Sequence, residues 1–258
     1  MISFTIITVT FQAEEVIECT LRSVLMQTYE NVEHLIIDGA STDHTLQLVE
    51  DYRQRNEERH TQHTVRVVSE PDKGLYDAMN KGLDKASGAY VVFLNAGDTL
   101  PSADTLELIA GSVGENESWP AVLYGDTDIV DAKGQFLRHR RLAPPERLTW
   151  HSFIHGMLVC HQAFYVRTDV AKATPYNTNY RFSADVDWCI RVMKLARKRH
   201  LPLRRVHAVL VDYLDGGMTV SHHRDSLKER FWVMTHHYGL LPTVAMHLWF
   251  ILRGMLKH

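Results

Sequence analysis

The chain is predicted to fold as an α/β protein with a mostly parallel central sheet and helices on both faces, and three features carry that expectation. Short β-branched or aliphatic runs alternate with helix-periodic segments through the first hundred residues. The runs are apolar nearly throughout, as strands buried on both faces must be, and polar residues gather where they end. Phe4 to Thr10 is the first run, and Glu14 to Met26 follows with Val16, Ile17, Leu21, Val24 and Leu25 at helical spacing. His34 to Asp38 (HLIID) is a second strand, after which Ser41 and Asp43 offer N-caps for a helix over Thr45 to Glu58. Thr64 to Ser69, Leu75 to Ala86 and Tyr90 to Leu94 continue the alternation as strand, helix and strand.

From about Leu123 the pattern loosens. In YGDTDIVDAKGQFLRHRRLAPP, Gly134 reads as a hairpin turn and Pro144-Pro145 as an extended connection, so no second parallel unit is expected here. Ser183 to Arg199 (SADVDWCIRVMKLARKR) opens with Ser and Asp and closes with a basic turn, both favourable to the helix dipole. The chain thus divides into residues 1–126, residues 127–215 of the same domain, and a loop with an amphipathic helical tail over 216–258. Leu240 to Leu256 is rich in large apolar residues, but as a helix it spans about 26 Å, short of the roughly 30 Å hydrocarbon core of a bilayer. It also contains Pro242, His247 and Arg253. Lying in a membrane interface, with Trp249, Arg253 and Lys257 at headgroup depth, suits it better than spanning; packing on its own domain or on a second subunit is the alternative.

Composition narrows the function. A formal charge of -3 provides no global basic field, so no nucleic-acid partner is expected. Cys19, Cys160 and Cys189 lack CxxC spacing and lie in apolar stretches, which fits buried thiols in a reducing compartment, and the N-terminus reads as a first strand rather than an export signal. A cytoplasmic location is expected. GxGxxG, GxxxxGKS and GxSxG are absent, and His151 and His155 lack the acidic partner of a zinc HExxH motif.

In open parallel sheets, ligands bind beyond the carboxyl ends of the strands. There this chain places Thr10 and Gln12, then Asp38 and Ser41, then Glu70, Asp72 and Lys73, and finally Asn95 and Asp98. The last strand, YVVFLNAGD, ends in one carboxylate beside a glycine that lets a ligand or backbone come close. Mg²⁺ or Mn²⁺ is commonly held by one or two carboxylates together with substrate phosphates, so a single Asp suffices for such an ion.

Taken together, IITVTF, LIIDGASTD and SEPDKGLYDAMNKGLDKASGAYVVFLNAGD resemble the donor half of family 2 glycosyltransferases, which have the Rossmann-like type A nucleotide-sugar fold. More narrowly they resemble the bacterial branch that builds colanic-acid-like and other surface polysaccharides. The match is strong over residues 2–126 and patchy beyond. It implies an inverting, metal-dependent transferase that moves a sugar from a nucleoside diphosphate, UDP ahead of GDP, to a saccharide acceptor that is polyprenyl-linked, working in the cytoplasm with contact to the inner membrane face. Thr10, Phe11, Asp38, Asp72 and Lys73 would border the nucleotide, with Phe11 stacking on the base. The Asn95 to Asp98 stretch would replace the acidic signature that holds metal and diphosphate, Asp98 being the metal ligand. His161 and Gln162 would line the acceptor side. RFSADVDWCIR resembles the motif that supplies the base for the acceptor hydroxyl, which makes Asp185 the catalytic residue and Asp187 its alternative. A positioned base contributes on the order of 10²- to 10⁴-fold, and an ordinary carboxylate is ionised near neutrality. Gly216 and Gly217 permit a loop whose Ser221, His222, His223 and Arg224 would close over the diphosphate.

The sequence departs from the family in three places. Asp38 is followed by Gly39 rather than a second Asp, Asn95 and Gly97 thin the acidic signature, and Ala78-Met79-Asn80 stands where the family ends in a cation, leaving Lys73 or Lys81 to substitute. Two rivals stay open at this point: a non-catalytic nucleotide-sugar-binding protein, and a sugar-1-phosphate nucleotidyltransferase, although TVTFQAEE is not the Gly-rich basic loop that the latter requires.

Overall fold

The computed structural model describes residues 2–114, 118–216 and 223–255. The chain runs β1 (Phe4–Thr10), α1 (Ile17–Leu25), β2 (Val32–Asp38), α2 (Thr45–Glu58), β3 (Thr64–Ser69), α3 (Leu75–Lys85), β4 (Tyr90–Phe93) and α4 (Thr105–Gly111). It continues through β5 (Val122–Val130), β6 (Phe136–His139), β7 (Phe164–Arg167), α5 (Thr168–Lys172), α6 (Ala184–Lys198), β8 (Leu203–Leu214), α7 (His223–Tyr238) and α8 (Leu240–Met255). Short 3-10 turns at Trp150–His155 and His161–Ala163 precede β7.

Among the described residues the strands form one sheet in the order β3-β2-β1-β4-β7-β5-β6, with β8 also paired to β5. The first four of these are mutually parallel, β7 enters antiparallel between β4 and β5, and β8 runs parallel to β5. Every residue of β1, β2 and β4 is buried, which is why those runs are rich in Ile, Leu, Val and Phe on both faces. Successive side chains of β2 serve opposite faces: Ile36 packs with Ile17, Leu21, Val49 and Tyr52 of α1 and α2, while Leu35 and Ile37 join the larger core with Met79 and Leu83 of α3. Two helices cover one face and α3 the other.

Several boundaries differ from the sequence reading. The chain makes a turn before α1, where Ala13 O accepts the Val16 and Ile17 amides, so that helix starts at Ile17 rather than Glu14. Residue 44 occupies the N-cap of α2 with no side-chain cap of its own; Ser41 Oγ donates to Asp38, whereas Asp43 accepts the amide of Thr45, the first residue of the helix, together with that of Glu14. Gly134 does sit at the β5–β6 hairpin with φ +76°. The strands β7 and β8, and helix α7 where a loop was expected, are additions. Cys160 and Cys189 are buried, whereas Cys19 is exposed.

Several polar residues inside the sheet are paired. Thr5 and Arg66 donate to Glu33, at 2.6 and 2.7 Å. His34 is fully buried between Thr8 Oγ1 (2.9 Å) and the Tyr52 hydroxyl (2.8 Å), and burial holds its pKa down at about 3. A histidine held neutral in this way takes up its proton only on unfolding. Its contribution to stability is complete above about pH 6.5 and is lost as pH falls toward 3, by at most about 1.4 kcal/mol per pH unit. Denaturant titrations should therefore find stability level near pH 7.5 and declining toward pH 5, with His34→Gln less stable at pH 7.5 but less sensitive to acid; equal slopes for the two proteins would exclude His34 as the cause.

Candidate active site

The carboxyl ends of β1 and β4, the loop before α6 and the end of β8 enclose a cleft of about 600 Å³. Thr10, Phe11, Asn95, Asp98, His161, Gln162 and Asp185 line it. Residues from both ends of the chain therefore meet in a single space. Asp98 and Asp185, 87 positions apart in sequence (185 minus 98), both face this cleft.

Asp98 is 4% exposed. One of its carboxylate oxygens accepts the Gln162 Nε2–H at 2.8 Å and the other accepts the Leu214 amide at 3.0 Å. Gln162 is itself oriented, since Cys160 Sγ donates to its Oε1 at 2.6 Å. Thr20 of α1 grips the same loop, accepting the Gly97 amide at 2.9 Å and donating to Asp98 O at 2.8 Å. Gly97 is required there: its φ is +98°, and a Cβ would lie 2.7 Å from Leu214 Cδ2. Burial pushes the Asp98 pKa up to about 7, against the lowering effect of the two hydrogen bonds. No cation neutralises it among the described residues, so it is a charge that would gain from a positive partner.

Asp185 opens α6, and its side chain is 19% exposed. Its Oδ1 accepts the Val186 amide at 2.9 Å and the Tyr76 hydroxyl at 3.4 Å, and its Oδ2 lies 3.7 Å from His161 Nδ1. Burial, with the Asp185 charge beside it, raises the Tyr76 pKa well above the ordinary tyrosine value, which keeps that hydroxyl a donor. Asp187 faces away from the cleft. It is bonded to Arg191 Nε (2.7 Å) and His237 Nε2 (2.8 Å), tying α6 to α7.

The remaining predicted site residues stand beside the cleft or outside the described region. Asp38 is completely buried, and its carboxylate accepts the Ser41 amide and the hydroxyls of Ser41 and Ser69, bracing the loops after β2 and β3. A Cβ at Gly39 would lie 2.5 Å from Asp72 Oδ2 and 3.3 Å from the Phe11 ring. The glycine thus leaves room for the Asp72 carboxylate next to Phe11, which is 63% exposed. Lys73 is exposed, and Lys81 is engaged by Glu70 and the Pro71 carbonyl. Residues 217–222, including His222, lie outside the described residues.

Four buried polar atoms of the cleft lining have no hydrogen-bond partner among the described residues: Thr10 Oγ1, Asn95 Oδ1, His161 Nε2 and Arg230 Nε. Buried groups left this way cost stability unless a ligand or water meets them. Several lining residues had no signal in the sequence. Tyr76 and Arg230 sit in ordinary helical patterns, and Leu214 acts through its backbone amide. Arg181 precedes the Asp185 motif directly and was the one that its position could have suggested.

A cluster of three or more His, Cys, Asp or Glu side chains able to hold an ion by themselves does not occur among the described residues. The donors that exist, the Asp98 carboxylate and the Asn95 amide oxygen, suit a hard cation whose other ligands arrive with phosphate.

Comparison with known proteins accords with this geometry. Residues 5–173 match the model of Glycosyl transferase family 2. A PGL/p-HBAD biosynthesis glycosyltransferase of Mycobacterium bovis is 35% identical over 215 residues, covering 83% of this chain and 77% of the relative. In three dimensions the chain is similar to S. aureus TarS 1-349, with TM-score 0.68 and 18% identity over 96% of this chain and 72% of that 1-349 chain. It is also similar to the mannosyltransferase PcManGT from Pyrobaculum calidifontis, crystallised with GDP-Man and Mn2+, with TM-score 0.56 and 16% identity over 95% and 74% of the two chains. With two carboxylates on one cleft at the strand ends of such a sheet, and a family match over most of its length, the chain is a glycosyltransferase belonging to Glycosyl transferase family 2.

Proposed function

We propose that this glycosyltransferase is inverting and metal-assisted, and that it transfers a sugar from a nucleoside diphosphate, UDP ahead of GDP, to a saccharide hydroxyl of a polyprenyl-linked acceptor in surface-polysaccharide assembly. The observation that carries this reading is that Asp98 and Asp185 border the same cleft, beside buried polar atoms that lack partners among the described residues. Solved TarS with UDP-GlcNAc supports a UDP sugar, and the name of the mycobacterial relative supports glycan biosynthesis.

Phe11 offers an exposed ring to the base, with Asp72 beside it over Gly39. Asp98, with Asn95 Oδ1 as a second oxygen, would hold a Mg²⁺ or Mn²⁺ ion, which when bound would stabilise the departing diphosphate. Asp185 receives the proton of the attacking hydroxyl, while the Val186 amide and Tyr76 hydroxyl fix the carboxylate in place. His161 Nε2, buried and unpartnered in the cleft lining, is available to a sugar hydroxyl.

The tail supports a membrane-surface reading. Thr243 of α8 is fully buried and His247 packs on Phe231 of α7, yet Leu241 (83% exposed), Leu248, Trp249 and Leu252 face solvent. That is an apolar stripe at helical spacing without a partner among the described residues. Trp150, Lys194, Arg197, Lys198 and His200 line a basic recess, and Trp150 stacks on Tyr238, just before α8. Cations beside an apolar helix face suit an anionic bilayer surface, and no helix of the described residues is long and apolar enough to cross a membrane. On this proposal the enzyme sits in the cytoplasm, held at the inner membrane face.

Asp185→Asn should lower transfer of a radiolabelled sugar by about 10²- to 10⁴-fold with little change in donor KM. Asp98→Asn should abolish both transfer and the metal dependence of UDP binding, and chelation should mimic it in the wild type; full turnover by both variants would remove their assigned roles. In flotation with anionic vesicles, the Leu241→Glu/Trp249→Glu protein should stay at the bottom of the gradient while the wild type rises. Equal flotation, or a solution dimer broken by the same pair, would reject the membrane reading.

A further inference from the structure

The cleft holds more positive charge than its donor-side chemistry uses. Four arginines line it, and two are committed to the fold. Arg140 donates to the carbonyls of Leu142, Met157 and Leu158, and Arg138 is paired with Asp215 at 2.9 Å. Arg181 and Arg230 differ. The Arg181 guanidinium lies 5.5 Å over the Phe182 ring, and Arg230 Nε is buried without a partner; neither has an ion pair among the described residues. The adjacent acid is already engaged: the Glu229 carboxylate accepts the amides of Arg181, Phe182 and Ser183 at 2.7, 2.6 and 2.6 Å. Asp185 is bonded to Val186 and Tyr76 and lies close to His161.

These two arginines belong to the elements that present Asp185, namely the segment leading into α6 and the helix α7 bonded to it. Asp98 and Asn95 come from a different element, the loop after β4, and line the same cleft. If Asp185 receives the proton of the incoming hydroxyl, groups on its own wall meet the acceptor, because inversion places attack opposite the departing diphosphate. This step rests on the proposed function.

We propose that Arg181 and Arg230 form an anion subsite on the acceptor side of the cleft, so that the accepting saccharide carries a phosphate or carboxylate close to the hydroxyl that is glycosylated. Guanidinium groups recognise both anions through charge-assisted hydrogen bonds, and the half-buried position of Arg230 strengthens its share relative to a surface cation, while Arg181 stands exposed at the mouth. The Glu229 contacts fix the backbone at Arg181, so the site is arranged before the ligand arrives. The two sources of such an anion are a phosphate linking the acceptor to its lipid and the carboxylate of an acidic sugar.

Isothermal titration of inorganic phosphate and of glucuronate into the full chain, each with and without saturating UDP and Mn²⁺, tests the subsite. The wild type is expected to bind at least one anion, and binding should persist with UDP in place. Preference for phosphate would identify the linking group, and preference for glucuronate an acidic sugar. Arg181→Gln and Arg230→Gln should each weaken that binding about tenfold while leaving UDP affinity unchanged, and the two lysine variants, which keep the charge but lose the planar fork, should fall between the glutamine variants and the wild type. The proposal is overturned if UDP displaces the anion, if the glutamine variants bind as the wild type does, or if neither anion binds. Failure of UDP itself to bind would instead strike at the donor reading, and the anion titration without UDP would still report whether the arginines hold the ligand.

Discussion

Asp98 is the point on which the two halves of the molecule converge. A carboxylate 4% exposed is expensive to bury, and this one is stabilised by one hydrogen bond from the turn before β7 and one from the end of β8. Its loop is held from a third direction by Thr20 and from a fourth by the paired amides and carbonyls of Thr99 and Asp212. Those contacts bring residues 160–162 and 212–214 to the ends of β1 and β4, and the cleft is the space they leave. With its pKa pushed up toward neutrality by that burial, Asp98 is held where a metal-bound diphosphate would relieve the cost.

A second constraint fixes the part of the cleft that carries Asp185. Helix α6 begins without a side-chain cap from Ser183; Glu229 of α7 reaches across and accepts three successive amides there instead. Two turns further along α7, His237 bonds Asp187, which is also held by Arg191. The pair of acids in the ADVDW motif thus divides its work: Asp185 turns into the cleft and Asp187 anchors the helix that carries it. Helix α7 is part of the wall of the cleft, through Arg230, and the apolar helix α8 extends from it.

The first half of the molecule was legible because its signals are local. Fully buried parallel strands produce runs such as HLIID and YVVF, and β3 and α2 occupy the spans that periodicity assigned. Beyond residue 126 the signals fail for identifiable reasons. The strand β8 carries Arg204, Arg205, His207 and Asp212 among its apolar residues, and much of it is only half-buried. The strand β7 has four residues, too few to establish a period, and α7 has its apolar residues spread around the helix instead of along one stripe.

The family motifs marked Asp98 and Asp185, and both line the cleft, since the places of a strand-end carboxylate and a helix-opening carboxylate are set by residues within a few positions of each of them. Partnership could not be read in that way. That Gln162 and a backbone amide at Leu214 would hold Asp98, that Asp72 would fill the space left open by Gly39, and that Arg181 and Arg230 would be left without carboxylates all depend on contacts between residues far apart in the chain. Local order follows from hydrogen bonds and periodicities of a few residues, which a linear sequence records. The charge balance of a cleft is a sum over neighbours in space, and it exists only once the sheet has brought them together.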